Sequence, residues 1–235
     1  MDELAQAARL ALRLITEFDS ALVDIIARSL LVTASATVLA AALGLPLGAL
    51  LALARFPGRQ MLLVTVHALM ALPPVVLGLL VYLVLSRAGP LGFLGLLYTP
   101  TAMIIAQTLL ILPILAALAS QQIEELAREY GELLRSLGAG PWHAAATLLW
   151  EGRFALATAL LTGFGRAAGE VGAVMIVGGN IDRATRVMTT AIALETGRGQ
   201  LALALALGLV LIALGVGVTV ATFGLRALAR RLSAA

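Results

Sequence analysis

Five long apolar segments, separated by shorter polar stretches, limit what this chain can fold into. Each reaches or exceeds the roughly 20 residues that an α-helix needs to cross the hydrocarbon core of a bilayer. Because lipid offers no hydrogen-bond partners, backbone that crosses it in such segments must form helices. The sequence therefore predicts an all-α integral membrane protein with about five transmembrane helices. The predicted spans are Ala27–Ala54, Leu62–Ser86, Pro100–Ser120, Phe154–Gly178 and Leu201–Leu225.

The composition supports this class and argues against several others. Of the 235 residues, 61% are apolar, and the mean hydropathy is +1.02. The absence of cysteine excludes disulfides and thiolate metal sites, and His67 and His143 lie apart, without metal-ligand spacing. The basic residues are all arginine and are spread over separate loops, so nucleic acid is not an expected partner. No catalytic constellation is visible, so we expect the chain to have no enzymatic activity and no cofactor of its own.

Residues 1–20 do not resemble a signal peptide, because Asp2 and Glu3 stand where a basic region is required. Their apolar residues recur at helical spacing, which suits a helix lying in the membrane interface. A solvated segment leading into the first span fits equally well. We expect the whole chain, 1–235, to form one transmembrane domain. The recurring apolar positions are Leu4, Ala8, Ala11, Ile15 and Phe18.

The most polar part of the chain is the stretch Gln121–Arg153, which we expect to form a loop on one side of the membrane. Within it, Glu132–Gly138 predicts a short helix ended by glycine. Pro141 then begins a second short helix that reaches Leu149, at a position where its missing N–H costs nothing. This helix–turn–helix, Glu132–Leu149, is called the elbow below. Its apolar residues suit insertion into a groove of a soluble partner, whereas a merely solvated loop explains so much helix-forming sequence poorly.

Arg166 and Glu170 are the sharpest anomaly inside a predicted span. A charge at membrane depth costs at least about 2.5 kcal/mol and usually faces a bundle interior or a water-filled cavity. Their i,i+4 spacing predicts a pair on one helix face. Two interpretations stay open: a salt bridge that tolerates burial, or a gate or wall of a translocation path. Gly165 and Gly169 add a G-x-x-x-G pattern, which favours close helix approach or a dimer contact.

Three further features concern the connections. Pro73-Pro74 should kink the second span. The glycine-rich segment Arg87–Thr99 is compatible with a loop that dips back towards the bundle, and Thr189–Glu195 predicts one or two helical turns ended by glycine. The chain shows no strong internal repeat, unlike many secondary carriers. The arginines are divided almost evenly between the two sides, but a cluster after the last span slightly favours a cytoplasmic C-terminus.

The elbow resembles the cytoplasmic coupling motif of ABC importer permeases, in which Glu-Ala-Ala, three residues and Gly precede a short second helix. Glu132 and Gly138 match its two anchors. Leu133 and Leu134 depart from its alanines, and Trp150-Glu151 stands where the family usually ends in Leu-Pro.

Four other runs resemble permeases of the molybdate/tungstate/sulfate branch, and one of them is most like the tungstate members. The resemblance implies an ABC type I importer-like permease fold and uptake of an oxyanion, with tungstate as the indicated ion and molybdate or sulfate as alternatives. The runs are Ala71–Gly78, Gly165–Ala173, Gly178–Ile181 and Arg186–Gly197, the last being the tungstate-like one.

The resemblance also implies partners and a location. These are a second copy of the permease, a cytoplasmic ABC ATPase dimer that binds the ATP, and an extracytoplasmic oxyanion-binding protein. The location is a prokaryotic plasma membrane, with the N-terminus outside and the C-terminus in the cytoplasm. The expected ATPase-coupling residues are Glu132, Leu133, Leu134, Arg135, Gly138, Ala139 and Trp142, and those of the translocation path or gate are Arg166, Gly169, Glu170 and Asn180.

A proton-coupled secondary carrier is the rival interpretation. In it, Glu170 would take up a proton beside Arg166. The elbow and the missing inverted repeat both count against this alternative.

Overall fold

A computed structural model describes residues 20–233 continuously, together with Gln6, Arg9, Leu10, Leu12, Arg13 and Thr16. Thirteen of the residues 1–20, for which an interfacial helix is predicted, lie outside the described residues. Side chains of the last helix are described as far as Gly224.

The described part of the chain is helical throughout its regular structure, with one short 3₁₀ turn at Gly92–Leu94. The prediction of an all-α fold is confirmed. In chain order the helices are α1 Ser20–Leu53, α2 Arg59–Met70, α3 Pro74–Leu85, α4 Pro100–Ser136, α5 Pro141–Glu151, α6 Arg153–Ala168, α7 Gly172–Gly178, α8 Met188–Gly197 and α9 Leu201–Ser233.

Three of these helices, α1, α4 and α9, are long and apolar enough to cross a membrane by themselves. Two bent pairs bring the total to as many as five, in agreement with the prediction of about five spans. Helices α2 and α3 meet at 103°, and α5 and α6 meet at 72°. Helix α1 packs along α4, and α3 packs against α7.

The second predicted span, Leu62–Ser86, is broken rather than kinked. Helix α2 ends at Met70, and α3 begins at Pro74, its first residue. The reason is the Pro-Pro pair: a proline disfavours helical backbone in the residue before it, and Pro73 is extended with ψ 129°. Neither proline can donate a backbone hydrogen bond, so the helix cannot run through both.

The fourth predicted span, Phe154–Gly178, is also wrong as a continuous helix. Helix α6 ends at Ala168, and α7 begins only at Gly172. At this break the Glu170 carboxylate accepts the backbone N–H of Ala173 at 3.0 Å and caps the start of α7. Arg166 and Glu170 therefore do not share a helix face.

The short helix predicted for Glu132–Gly138 is the last part of α4, a helix of 37 residues. No proline stands between the apolar part of α4 and Gly138, and an isolated glycine costs too little to end a helix there. Helix α4 therefore continues beyond its apolar part. It ends in a Schellman motif: Gly138 has φ +72°, and Ala139 N–H donates to Leu134 O at 2.9 Å.

The two connecting loops agree with the expectations more closely. The Arg87–Thr99 segment folds back against the end of α3, where Leu91 N–H donates to Val84 O at 3.0 Å. Its far end is attached to α7 through Tyr98 N–H and Val177 O at 2.9 Å. Helix α8 contains the predicted turns and ends at Gly197.

The closest helix contacts are made by glycines other than the G-x-x-x-G pair. A Cβ on Gly48 of α1 would lie 2.5 Å from Ala116 O of α4, and one on Gly78 of α3 would lie 2.6 Å from Ala173 Cα of α7. A Cβ on Gly165 would meet nothing within 4 Å. Within one copy of the chain, Gly165 and Gly169 therefore do not provide the close helix approach that the pattern predicts.

This packing makes a stability prediction. Gly78→Ala should lower the melting temperature of the purified protein in detergent, because overpacking of this kind costs about 1–3 kcal/mol. Gly208→Ala in α9 is the matched control, since a Cβ there meets nothing within 4 Å and alanine is the better helix former. Equal melting temperatures for the two variants would contradict the α3–α7 contact.

Candidate functional site

The elbow is attached to the helical bundle through the inner side of α5. Leu148 is 1% exposed and belongs to the same buried cluster as Ala49 of α1 and Ile123 of α4, with Leu134 packed against it. Pro141 is the first residue of α5 and follows Gly140, whose backbone is extended. The inner face of α5 is therefore held against α1 and α4.

The outer side of the elbow is apolar and uncovered. Leu133 is 55% exposed, Leu137 73% and Trp142 82%. Of the predicted coupling residues, Glu132 and Gly138 are exposed as well, whereas Leu134 and Ala139 lie partly inward. Arg135 is exposed and its Nε donates to Gly131 O at 3.0 Å. The exposed apolar side chains are the kind that anchor a protein–protein interface.

The corner between α5 and α6 contains a feature that the sequence reasoning missed. The Arg153 guanidinium lies 4.9 Å from the ring centre of Trp150 and 4.8 Å from that of Phe154. Two such cation–π contacts stiffen the corner. The one available signal was Arg153 standing between Trp150 and an aromatic at the start of an apolar segment.

Arg166 and Glu170 form the predicted pair, although across a helix end rather than along one face. Arg166 Nη1 lies 2.8 Å from Glu170 Oε2; the side chain of Glu170 is 5% exposed and that of Arg166 is 37% exposed. The other carboxylate oxygen caps α7, and the Glu170 backbone carbonyl accepts the Thr189 hydroxyl at 2.8 Å. Glu170 thus joins the end of α6, the start of α7 and α8.

A second buried polar group lies beside this break and was not anticipated. Gln107 of α4 is 3% exposed, and its Nε2 donates to Ala167 O at 3.0 Å. Its Oε1 has no hydrogen-bond partner among the described residues. Gln107 also lines a cavity of about 10 Å³ with Thr33 and Thr189, a volume close to that needed for one water molecule.

The predicted path residues are only partly brought together. Gly169 is exposed in the break between Arg166 and Glu170. Asn180 lies beyond the opposite end of α7, roughly 10 Å along a helix of this length, in a left-handed conformation with φ +49°. Arg166, Gly169 and Glu170 therefore lie together at the break between α6 and α7, whereas Asn180 lies in the loop that leads to α8.

Two features of this fold bear on its function, the break between α6 and α7 and the exposed elbow. At the break between α6 and α7, the Glu170 carboxylate binds Arg166 and the start of α7, and its backbone carbonyl binds Thr189 of α8. The exposed apolar elbow leaves the bundle on a helix whose inner face is packed. A broken helix around a buried charge, together with an external attachment surface, defines a membrane transport component that works with other subunits.

Comparison with known proteins makes this class definite. The chain belongs to the family described as "Binding-protein-dependent transport system inner membrane component", whose model matches residues 44–234. It is therefore a multi-pass inner-membrane subunit of such a system, and the family prediction made from the sequence is confirmed.

Three relatives illustrate the similarity. The chain is 41% identical over 199 residues to the tungstate uptake system permease protein TupB of Peptoclostridium acidaminophilum, covering 85% of this chain and 87% of that protein. It is 41% identical over 185 residues to a probable anion ABC transporter permease protein of Haloferax volcanii, covering 77% and 80%. It is 30% identical over 164 residues to the molybdenum transport system permease protein ModB of Azotobacter vinelandii, covering 66% and 73%.

Proposed function

We propose that this chain is the permease subunit of an ATP-driven ABC importer whose substrate is tungstate. The assignment of the substrate rests on graded sequence similarity: the chain is 41% identical to a tungstate permease and 30% identical to a molybdenum permease. Molybdate and sulfate are the alternative substrates of the same class. In this role the chain carries no catalytic residues and no cofactor, because ATP is bound and hydrolysed by a partner.

The elbow is the proposed site of attachment for the ATPase. Its exposed apolar side chains offer anchors for a groove on that partner. Closure of the ATPase dimer on ATP would move α5 as a rigid body, and its packed inner face would carry the motion to α1 and α4. The coupling residues on the exposed side are Glu132, Leu133, Arg135, Gly138 and Trp142, with Leu134 and Ala139 supporting them from within.

Arg166 and Glu170 are the proposed gate of the translocation path. A guanidinium that remains 37% exposed can attract a dianion, while its carboxylate partner prevents the site from holding that ion too tightly. Gly169 allows the break between the helices to open, and Asn180 lines the path near the other end of α7.

The assembly follows from these assignments. The elbow faces the cytoplasm, so the C-terminus is cytoplasmic and the N-terminus is outside, where an oxyanion-binding protein delivers the substrate. A second copy completes the path. Gly165 and Gly169 support this dimer, because both are exposed and line an open groove of about 310 Å³ between α1, α6 and α9.

The function is tested by purifying the tagged chain from its native membrane and identifying the soluble proteins that accompany it. We expect an ABC ATPase, and a binding protein that prefers tungstate over molybdate and sulfate when titrated with each. A preference for sulfate would refute the substrate and leave the transporter class intact.

The proton-coupled carrier is tested in vesicles that contain the purified complex. We expect uptake to require ATP and to survive collapse of the proton gradient. Uptake without ATP that stops when the gradient is collapsed would establish the rival instead.

A further inference from the structure

A large cleft lies between the elbow and the corner that joins α1 to α2. Its volume is about 720 Å³, and it is bounded by the end of α1, the start of α2, the end of α4 and the inner side of α5. Four arginines and a single carboxylate are among its lining side chains: Arg55, Arg59, Arg128, Arg135 and Glu124.

The charges of this cleft do not balance. Glu124 is paired with Arg59, whose Nε also donates to Leu51 O at 2.6 Å. Arg55 and Arg128 are exposed and make no hydrogen bond or ion pair within the part of the chain that the structure describes. The Nε of Arg135 donates to a backbone carbonyl, and its terminal nitrogens make no hydrogen bond within the described residues. Three guanidinium groups therefore face the cleft without a counter-charge.

The remaining wall of the cleft is apolar. It is formed by short and branched aliphatic side chains, including Leu53 of α1, Ala127 and Leu134 of α4, and Ala144 of α5. A ligand that matches both parts has an oxyanion at one end, which guanidinium groups bind through paired hydrogen bonds, and an apolar body at the other.

We propose that this cleft binds an anionic phospholipid, with the phosphodiester between Arg55 and Arg128 and the start of the acyl chains along the apolar wall. Basic pockets between transmembrane helices are known to hold acidic headgroups. The shared chemistry is a tetrahedral oxyanion, which a free ion also offers, but a small ion would leave the apolar wall uncovered. The inference needs only that these helices cross a membrane, so it does not depend on the transported substrate.

A lipid in this place touches both the elbow and the α1–α2 corner. The lipid would bridge two elements that move in the proposed coupling. It would therefore strengthen the attachment of α5 to the bundle. Phosphatidylglycerol should therefore be retained through purification, while a zwitterionic lipid should not.

The experiment compares binding of phosphatidylglycerol and phosphatidylcholine to the purified complex by native mass spectrometry. The variant is Arg55→Gln with Arg128→Gln. Each arginine near an acidic headgroup contributes about fivefold in affinity, so phosphatidylglycerol binding should weaken by about 25-fold. Replacing both arginines by lysine should preserve most of the binding. Arg87→Gln is the matched control, because Arg87 is exposed and lies outside the cleft.

Unchanged phosphatidylglycerol binding in the double variant would overturn the proposal, and so would an equal loss in Arg87→Gln. A parallel titration with inorganic phosphate and with tungstate separates the two sources of oxyanion. Tight binding of either ion that depends on Arg55 and Arg128, with no preference for phosphatidylglycerol, would overturn the lipid as occupant. Both arginines are exposed, so an unchanged melting temperature is expected and verifies that the variant is folded.

Discussion

Trp142→Ala is expected to reduce ATP-driven uptake by about 30-fold or more. The ring is 82% exposed in the isolated chain, at the start of a helix whose other side is fixed to the bundle. Large aromatic anchors of an interface cost 2 kcal/mol or more on truncation, and about 1.4 kcal/mol corresponds to a factor of ten. Uptake into vesicles and the amount of ATPase retained on purification measure the effect.

Phe93→Ala is the control for this substitution. Phe93 is 81% exposed and lies in the 3₁₀ turn after α3, outside the elbow. We expect wild-type uptake and ATPase retention from Phe93→Ala, and wild-type melting temperatures from both variants. If Trp142→Ala retains its ATPase and transports normally, the elbow is not the attachment surface.

Gly138→Val is expected to disturb the same surface by straining the backbone of the turn, and not by a steric clash of the new side chain. A Cβ at Gly138 would meet nothing within 4 Å, so the cost arises from φ +72°, which a β-branched residue adopts with strain. The strained turn should misdirect α5, abolishing coupling while membrane insertion is unaffected. Glu132→Ala should also abolish uptake, and normal uptake by both variants would contradict the coupling motif.

The membrane-spanning segments could be predicted because lipid leaves a backbone few choices. Length and apolarity were enough to find α1, α4 and α9, and the elbow could be recognised from the spacing of Glu132, Gly138 and Pro141. These signals are local in the sequence, and each follows directly from a physical property of the residues concerned.

The break between α6 and α7 could not be predicted because a continuous helix suits the same residues, whereas Pro73-Pro74 did mark the position of the other break. Gly165–Ala173 consists mainly of small residues that suit a membrane helix, and nothing local shows that Glu170 will cap Ala173. In the same way, Gln107 and Thr189 form hydrogen bonds with residues distant in the sequence, Ala167 and Glu170, which no local pattern indicates. The continuation of α4 to Ser136 followed from helix-forming residues that also suited a separate short helix.

Glu170→Gln is expected to reduce uptake by about 10-fold or more. The amide oxygen can still accept the Ala173 N–H, so α7 keeps its cap, but Arg166 loses the charged partner that now lies 2.8 Å away. Hydrogen bonds to charged groups contribute about 1.5–3 kcal/mol, which is enough to shift a gate equilibrium by one to two orders of magnitude.

Two further variants separate the gate from a purely structural salt bridge. Glu170→Ala removes the cap as well as the charge and should lower the melting temperature further, by the roughly 1 kcal/mol that a cap contributes. Arg166→Gln combined with Glu170→Gln removes both charges and should recover part of the uptake, because no unpaired guanidinium then remains beside the path. A Glu170→Gln protein that transports at the wild-type rate would exclude both the gate and the proton-carrier mechanism. A double variant that is as stable as wild type but no faster than Glu170→Gln would instead show that the path requires the arginine charge itself.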